Sequence, residues 1–232
     1  MTTTVANGAL EDHSVKHTAT EMLGGPANRV WSANVEWSGA TVVEAGIHNV
    51  DLMRFWCGDI AWVEATYVHR DEEDVAGGGD NPYAYRVALG FESGCIGNLL
   101  VSRLRRVFHS DAYEAILWTH GIVKFEGSEV AAYHYDGAYP PTEPPKPEEL
   151  RHTLDVGPRV DSTEEISRAF VRAVRTGDPG KLPSTFAGSM NSLAAVLAAN
   201  VSDRLDGERV YLRDFMFDDR YAAFRTRPHP NK

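Results

Sequence analysis

Several common features are scarce or missing in this sequence of 232 residues. It has only two cysteines, Cys57 and Cys95, which lie far apart and match no metal-binding spacing. We interpret both as buried free thiols in a reducing cytosol. No apolar run approaches the roughly 20 residues that span a bilayer, and the first residues, MTTTV, lack the basic and apolar regions of a signal peptide. These absences predict a cytoplasmic protein.

Positive charge is also scarce, with 23 Lys and Arg against 33 Asp and Glu and a net charge of -10. No basic stripe is present, so nucleic acid and anionic membranes, which repel an acidic protein, are not expected as partners. No Gly-x-Gly-x-x-Gly follows a predicted strand, and a dinucleotide cradle is therefore not expected. The glycines Gly77-Gly78-Gly79 follow four consecutive acids, whose charge would repel a phosphate.

The 43% of hydrophobic residues is enough for a substantial core. Residues 1–16 are polar and aperiodic and predict a mobile tail, and residues 17–232 are predicted to form a single domain. Alternating β-branched and aromatic residues predict a succession of strands: Arg29–Trp37, Ile60–His69, Tyr85–Phe91, Cys95–Ser102, Ala112–Thr119, Ile122–Phe125, Glu129–Tyr135 and Val210–Leu212. Helices flank this run, which favours an α+β fold with a mostly antiparallel open sheet and helices covering one face.

Two helices are predicted near the C-terminus. Ser162 and Glu165 form a capping box for the first, which is expected to end at Gly177. Its predicted inward residues are Ile166, Phe170 and Val174. The second helix covers Ser184–Leu205, and its predicted buried stripe consists of large apolar residues: Phe186, Met190, Leu193, Leu197 and Val201.

The most informative segment is Glu44–Gly58, which predicts one helix with Glu44, His48 and Asp51 on a single face, since residues three and four apart are neighbours. A carboxylate beside an imidazole is suited to proton transfer near neutral pH. Asp51 is interpreted as structural, contacting the backbone or Arg54. Two ligands four apart can also hold zinc, but no third ligand has a convincing spacing, so no metal is predicted.

The order of segments resembles the C-terminal, substrate-side domain of the Gfo/Idh/MocA oxidoreductase family. The resemblance covers roughly residues 23–212, and no single motif in it is diagnostic. It depends on an ordered set of segments: EAGIHNVDL at Glu44–Leu52, FESGCIG at Phe91–Gly97, THG at Thr119–Gly121, VRTGDP at Val174–Pro179 and ANVS at Ala199–Ser202.

The resemblance implies a substrate that is a sugar, a cyclitol or a similar hydroxylated small molecule. In the family an acid and a histidine four apart on this helix perform acid–base chemistry, and Glu44 and His48 occupy those positions. The family sheet also contributes polar residues to the substrate pocket, which makes Tyr85 and Tyr113 candidates. Asn49 is a candidate for a ligand hydroxyl, and Trp37 for an apolar wall against a sugar face.

Family members carry an N-terminal Rossmann domain that binds NAD(P) and supplies a catalytic lysine, and neither has a counterpart here. The chain is therefore expected to bind no cofactor alone and not to act as a dehydrogenase alone. Three hypotheses remain open: the substrate half of an oxidoreductase completed by a Rossmann-bearing subunit, a cofactor-independent acid–base enzyme such as an epimerase, dehydratase or cyclase, or a non-catalytic binding module. A homodimer through the sheet face fits all three. The start at Met1-Thr2-Thr3 favours a naturally short protein over a fragment.

Overall fold

The computed structural model describes residues 34–72, 80–102, 114–126, 129–138, 141–157, 160–182 and 184–225. These residues form two compact units, one from the residues before position 109 and after position 183, the other from those between. Each unit contains a four-stranded antiparallel sheet, and with the helices this confirms the predicted α+β class with open antiparallel sheets. The tail predicted at 1–16 lies outside the described residues.

Helices and strands alternate in blocks along the chain. The helices are α1 (Val35–Ser38), α2 (Ala40–Glu44), α3 (Gly46–Cys57), α4 (Pro147–Leu150), α5 (Ser162–Thr176), α6 (Phe186–Arg204), α7 (Leu212–Phe217) and α8 (Ala222–Arg225). The strands are β1 (Ile60–Val68), β2 (Ala84–Phe91), β3 (Ile96–Ser102), β4 (Glu114–Trp118), β5 (Gly121–Glu126), β6 (Glu129–His134), β7 (Arg151–Leu154) and β8 (Val210–Tyr211).

The sheet of the first unit has the strand order β3-β2-β1-β8. As predicted, β2 and β3 form a hairpin around Glu92-Ser93-Gly94, where Gly94 adopts φ 86°. Side chains alternate between the two faces of a strand. One face carries most of the buried residues, and α3 and α6 pack against it. The strand residues of this core are Ile60, Val63, Ala65, Tyr67, Tyr85, Val87, Leu89, Phe91, Leu99 and Val210.

Helix α6 lies at the predicted place, but the predicted buried stripe is confirmed only at Val201, which is buried, and at Leu193, which packs half-buried against the core. Phe186, Met190 and Leu197 of the predicted stripe are 83%, 39% and 38% exposed. The buried residues are mostly alanine and serine: Ser192, Ala194, Ala195, Val196, Ala198, Ala199, Val201 and Ser202. Small side chains bring the helix close to β1, so the large ones lie at its margins.

The second unit has the strand order β4-β5-β6-β7. The predicted hairpin around His120-Gly121 is confirmed by the pairing of β4 with β5. Only glycine fits at position 121, because a side-chain carbon there would lie 2.3 Å from the carbonyl oxygen of Tyr133. Strand β7 was not predicted, since its short sequence Arg-His-Thr-Leu has no apolar alternation.

Helix α5 ends at Gly177 as predicted, where φ is 64°. Its N-cap is Asp161, whose carboxylate accepts hydrogen bonds from the backbone N–H groups of Thr163 and Glu164, so the predicted cap at Ser162 was wrong by one residue. The predicted inward orientation of its apolar stripe was also wrong. The exposed fractions of Ile166, Phe170 and Val174 are 66%, 59% and 67%.

Three further predictions need correction. Residues 35–38 form helix α1 instead of the end of a strand, while residues 29–33 lie outside the described part. The last strand is limited to β8, because Leu212 begins α7. Both cysteines are free, but Cys95 is exposed and Cys57 only half-buried. Among the described residues, no helix combines the length and hydrophobicity that crossing a membrane requires.

Candidate functional site

The two candidate acid–base residues lie on adjacent short helices of the first unit. Glu44 is the last residue of α2 and is half-buried, and His48 lies in the first turn of α3 and is exposed. Within the described ranges, neither a hydrogen bond nor an ion pair joins these two side chains. The imidazole of His48 is therefore open to solvent and is not oriented by the carboxylate in this structure.

The prediction of one helix from Glu44 to Gly58 was wrong at its beginning. Ala45 separates α2 from α3 with φ -114° and ψ -37°, and its carbonyl accepts a 3.3 Å hydrogen bond from the His48 N–H. Gly46 then begins α3 in a buried position, where a side-chain carbon would lie 3.3 Å from Cδ2 of Leu99. The break therefore accompanies a close approach of α3 to β3, which the periodicity of the sequence does not encode.

Asp51 has a structural role, as predicted. Its Oδ1 accepts a 2.6 Å hydrogen bond from the Ser192 hydroxyl of α6 and lies 3.9 Å from Nη1 of Arg54. Arg54 also donates from Nε to Asp59 at 2.7 Å, which ties the end of α3 to the start of β1. These contacts fix the helix that carries His48 against the core.

The four predicted substrate contacts lie in different environments. Trp37 on α1 is 51% exposed, and Asn49 on α3 is half-buried. Tyr85 is fully buried, with its ring centroid 4.7 Å from that of Tyr67, which is at odds with a substrate contact and makes it a packing residue. Tyr113 lies outside the described residues. Trp37 and Asn49 thus share the α1–α3 segment with Glu44 and His48.

A buried polar network supports the start of α2. The Asn81 carboxamide oxygen accepts a 3.1 Å hydrogen bond from the Thr41 N–H and another from the Tyr85 hydroxyl, while Asn81 Nδ2 donates to the Thr41 hydroxyl at 3.1 Å. On the other side, Asn200 of α6 donates to the Gly39 carbonyl at 2.7 Å.

The Tyr67 hydroxyl extends this support by donating to Asn200 Oδ1 at 2.9 Å. Burial, helped by the nearby Asp203 carboxylate, raises the pKa of Tyr67 well above its usual range. The phenol therefore stays protonated and remains a donor at physiological pH.

Two clefts in the described structure are lined by other residues than Glu44 and His48. One, in the first unit, lies between the start of β1 and α7 and includes Ile60, Asn191, Tyr211 and Arg213. The other, in the second unit, is bounded by Tyr133, His134 and the proline-rich stretch before α4.

A cluster of possible metal ligands, which sequence reasoning missed, lies in the second unit. His134, Asp136 and His152 each offer one ligand atom, and these three atoms lie within 4.8 Å of one another. The sequence signal is His-x-Asp at the end of a strand with a histidine in the next strand. Because β7 was not predicted, the pairing that brings His152 to His134 could not be inferred.

Comparisons with known proteins address the family of this fold. A model of the GFO/IDH/MocA C-terminal domain matches residues 4–138. None of the curated proteins is similar enough in sequence to count as a relative. Similar solved structures include an oxidoreductase from Agrobacterium radiobacter in complex with NAD+, L-tartaric acid and magnesium. That structure shares 17% identity over 75% of this chain and 49% of its own, with a TM-score of 0.57.

Two further solved structures are named as enzymes of UDP-sugars or as complexes with them. The WlbA dehydrogenase from Bordetella pertussis, in complex with NADH and UDP-GlcNAcA, has 19% identity and a TM-score of 0.55, covering 78% of this chain and 47% of that one. UDP-N-acetylglucosamine 3-dehydrogenase GnnA from Acidithiobacillus ferrooxidans has 19% identity and a TM-score of 0.52, covering 67% and 46%. At these identities the likeness shows the fold.

The chain spans about half the length of these solved structures. The family model, in contrast, matches more than half of this sequence, and the antiparallel sheets and helices described above agree with it. The chain therefore belongs to the Gfo/Idh/MocA oxidoreductase family, of which it carries the C-terminal domain.

Proposed function

We propose that this chain is the substrate-side half of an oxidoreductase that acts on a sugar or a similar hydroxylated small molecule. In this proposal His48 exchanges a proton with the substrate hydroxyl, and a separate Rossmann-bearing subunit supplies NAD(P). The observation that carries the proposal is the exposure of His48 on α3 beside exposed apolar side chains. A second copy of the chain is the other partner that we propose.

The surface around His48 exposes apolar side chains, as the contact surface for another protein does. Leu52 and Phe55 lie four and seven residues after His48, on the same side of α3. Leu52 is 38% exposed and Phe55 is 82% exposed. Apolar side chains in a patch of this kind commonly mark a contact with another protein or a ligand. A covering subunit would bury Phe55 and exclude water from the imidazole.

The chemistry assigned to this chain is proton transfer. Oxidation of an alcohol to a carbonyl removes a proton from oxygen and a hydride from carbon, and an imidazole is suited to accept the proton near neutral pH. Glu44, four residues before His48 at the end of α2, is proposed to orient the imidazole once a partner and substrate enclose it. Asn49 and Trp37, on the same segment, are proposed to contact the substrate.

The hydride acceptor is not assigned to this chain. The described residues contain no parallel strand–loop–helix unit with a glycine-rich loop, which is what holds the pyrophosphate of NAD(P) in a Rossmann fold. The described residues therefore do not fit the cofactor, and we propose that another subunit binds it.

The substrate class is proposed from the similar structures, two of which are named with UDP-sugars and one with L-tartaric acid. All three compounds carry several hydroxyl groups. The exposed Trp37 is suited to stack against such a compound, and the exposed His48 is suited to exchange a proton with one of its hydroxyl groups.

The test is purification of the tagged chain from its native host, followed by identification of the proteins that remain bound. We expect a Rossmann protein, and we expect the reconstituted pair to reduce NAD(P) with a polyol or sugar substrate. His48→Ala should lower the rate by roughly 10²–10⁴-fold, the usual contribution of a general base. The matched control is His69→Ala, which removes an exposed histidine that pairs with Asp203 at 2.8 Å in the same unit.

Two results would contradict the proposal. If no Rossmann protein is retained and the chain alone turns over a substrate without NAD(P), it is a cofactor-independent enzyme. If the reconstituted pair is equally active with His48→Ala and His69→Ala, the imidazole has no role in the chemistry.

A further inference from the structure

We propose that the sheet of the second unit carries a binding site for a divalent transition-metal ion, of which zinc is the best match. The ligands are His134 at the end of β6, Asp136 two residues later and His152 in β7. All three ligands lie in the second unit of the chain, whereas His48 lies in the first.

The strand register explains why these side chains converge. In the antiparallel pairing of β6 with β7, His152 lies directly opposite Ala132. His134 is two residues after Ala132, so its side chain lies on the same face and diagonal to that of His152. On its other side His134 is paired with Gly121 of β5, which has no side chain to cover the imidazole. The face is thus open at the point where the two rings meet.

The distances are near those that a metal requires. His134 Nε2 lies 3.1 Å from Oδ1 of Asp136, and the two imidazole centroids are 4.3 Å apart. In a tetrahedral site with metal–ligand bonds of about 2.0–2.1 Å, ligand atoms are about 3.3 Å apart. The widest separation here is at most 4.8 Å. Side-chain rotation can close this gap, because the Asp136 side chain is 75% exposed and His152 is also exposed.

The charges around the cluster permit a cation. Arg151 and Lys124 are the cations of β7 and β5. Arg151 donates to Glu126 and Glu129, and Lys124 lies over the Tyr133 ring, so both point to the opposite face of the sheet from His134. The hydrogen bond from Tyr133 and, after it, the pairing with Arg151 lower the pKa of Glu126. These groups satisfy one another and leave the carboxylate of Asp136 as the charge beside the two imidazoles.

The donor set selects the kind of ion. Two imidazole nitrogens and one carboxylate oxygen suit zinc, cobalt, nickel or copper, whereas magnesium and calcium prefer oxygen ligands alone. Three protein ligands leave a fourth tetrahedral position for water or another donor. The alternative is a pair of stacked imidazoles that Asp136 holds by a hydrogen bond, without any ion.

The experiment uses the full chain without a histidine tag. Bound metal is first removed with a chelator, and zinc is then added in competition with a chromophoric chelator. We expect the native chain to bind one equivalent of zinc at this site and its melting temperature to rise with zinc concentration. Asp136→Asn and His152→Ala should each weaken this binding by at least about tenfold. A loss of that size is usual when a residue that only hydrogen-bonds a metal ligand is removed, and these substitutions remove the ligands themselves.

The matched control is His69→Ala, since His69 pairs with Asp203 in the first unit without a third ligand within reach among the described groups. It should bind zinc as tightly as the native chain. Circular dichroism checks that each variant folds. If His152→Ala does not fold, Asp136→Asn decides the test, because Asp136 lies on the surface and its replacement should not disturb the fold. Equal zinc affinity in Asp136→Asn and the native chain, or no zinc binding by the native chain, would overturn the proposal and leave only a hydrogen-bonded histidine pair.

Discussion

Asn81 is the residue that best shows how this sequence holds its candidate helix in place. Only 1% of its surface is exposed, yet its side chain bonds the Thr41 N–H, the Thr41 hydroxyl and the Tyr85 hydroxyl. Its backbone carbonyl also accepts from Arg70 Nε at 2.6 Å. A buried polar group without a partner costs about 1–3 kcal/mol. One asparagine therefore satisfies several groups that would otherwise be buried and unbonded.

Replacing Asn81 by alanine should lower the free energy of unfolding by about 1–3 kcal/mol, because the Thr41 N–H and the Tyr85 hydroxyl both lose their bond to the buried carboxamide oxygen. Urea denaturation with fluorescence detection measures this loss. The control is Tyr85→Phe, which removes the hydroxyl that donates to Asn81 and accepts from the Thr41 N–H at 3.3 Å, but which leaves the bond from the Thr41 N–H to Asn81 in place. It should cost about 1 kcal/mol. A loss below about 0.5 kcal/mol for Asn81→Ala, the scale of ordinary surface substitutions, would contradict this account.

The candidate site could be predicted from the sequence only in part, and Ala45 shows why. The four-residue spacing of Glu44 and His48 predicts that they share a helix, but the chain changes direction between them so that Gly46 can approach Leu99. Local periodicity contains no information about a contact with a strand more than fifty residues away. The same limit applies to Tyr85, whose hydroxyl accepts from the Thr41 N–H of α2 and whose ring packs against Tyr67 of β1.

At the scale of elements, helix α6 supplies hydrogen bonds to one edge of strand β1. Strand β8 pairs with only two residues of β1, Trp62 and Val63. Beyond that pairing, polar side chains of α6 bond the β1 backbone: Asn191 to the N–H and carbonyl of Ile60, Ser202 to the Ala65 N–H and Asp203 to the Tyr67 N–H. An uncovered strand edge presents unpaired backbone groups. Helix α6 thus acts as the missing strand partner along this edge.

Ser202→Ala tests this arrangement. Ser202 is fully buried, accepts from the Ala65 N–H at 2.8 Å and donates to the Glu208 carbonyl at 2.7 Å. Its loss should lower the free energy of unfolding by about 1–3 kcal/mol, since the buried Ala65 N–H loses its acceptor. Amide hydrogen exchange should also become faster at Ala65. Ser189→Ala is the control on the same helix, because its hydroxyl bonds only Thr185 and Ser184 near the helix start. Equal losses in the two variants would show that α6 does not close the β1 edge.

Whether a segment forms a helix or a strand was predicted better than which face of a helix is buried. The strands from β1 to β6 and the end of α5 follow from alternation and glycine signals, which are local properties of the chain. The buried face of α6 was missed because hydrophobic size favours Phe186 and Met190, whereas close packing against a sheet requires alanine and serine. The orientation of α5 was missed for a related reason. Amphipathicity indicates that a helix will be covered, but not whether the same chain covers it.

At the scale of the whole molecule, the first sheet has one face that no helix of its own unit covers among the described residues. Ile96 and Leu100 of β3 lie on this face with 75% and 45% of their surface exposed, and Tyr211 of β8 is 48% exposed. Trp62 packs across Gly90, with Arg209 stacked 3.9 Å above its ring. An antiparallel sheet tolerates solvent on one face when that face is polar, and this face is only partly so. We therefore retain the prediction that a second copy of the chain covers it.

Sedimentation should accordingly show a dimer. A stable protein pair buries about 1,200–2,000 Å² of surface, and the apolar residues of this sheet face would form the centre of that interface. Leu100→Lys should shift the protein to a monomer, because the dimer would bury an unpaired ammonium group, which is strongly unfavourable. The control is Phe186→Lys, which replaces an 83% exposed aromatic residue at the start of α6, away from this face. Both variants should keep the native circular dichroism, as both side chains are exposed in the single chain. A native protein that sediments as a monomer, or a dimer that persists in Leu100→Lys, would show that the sheet face is not the interface.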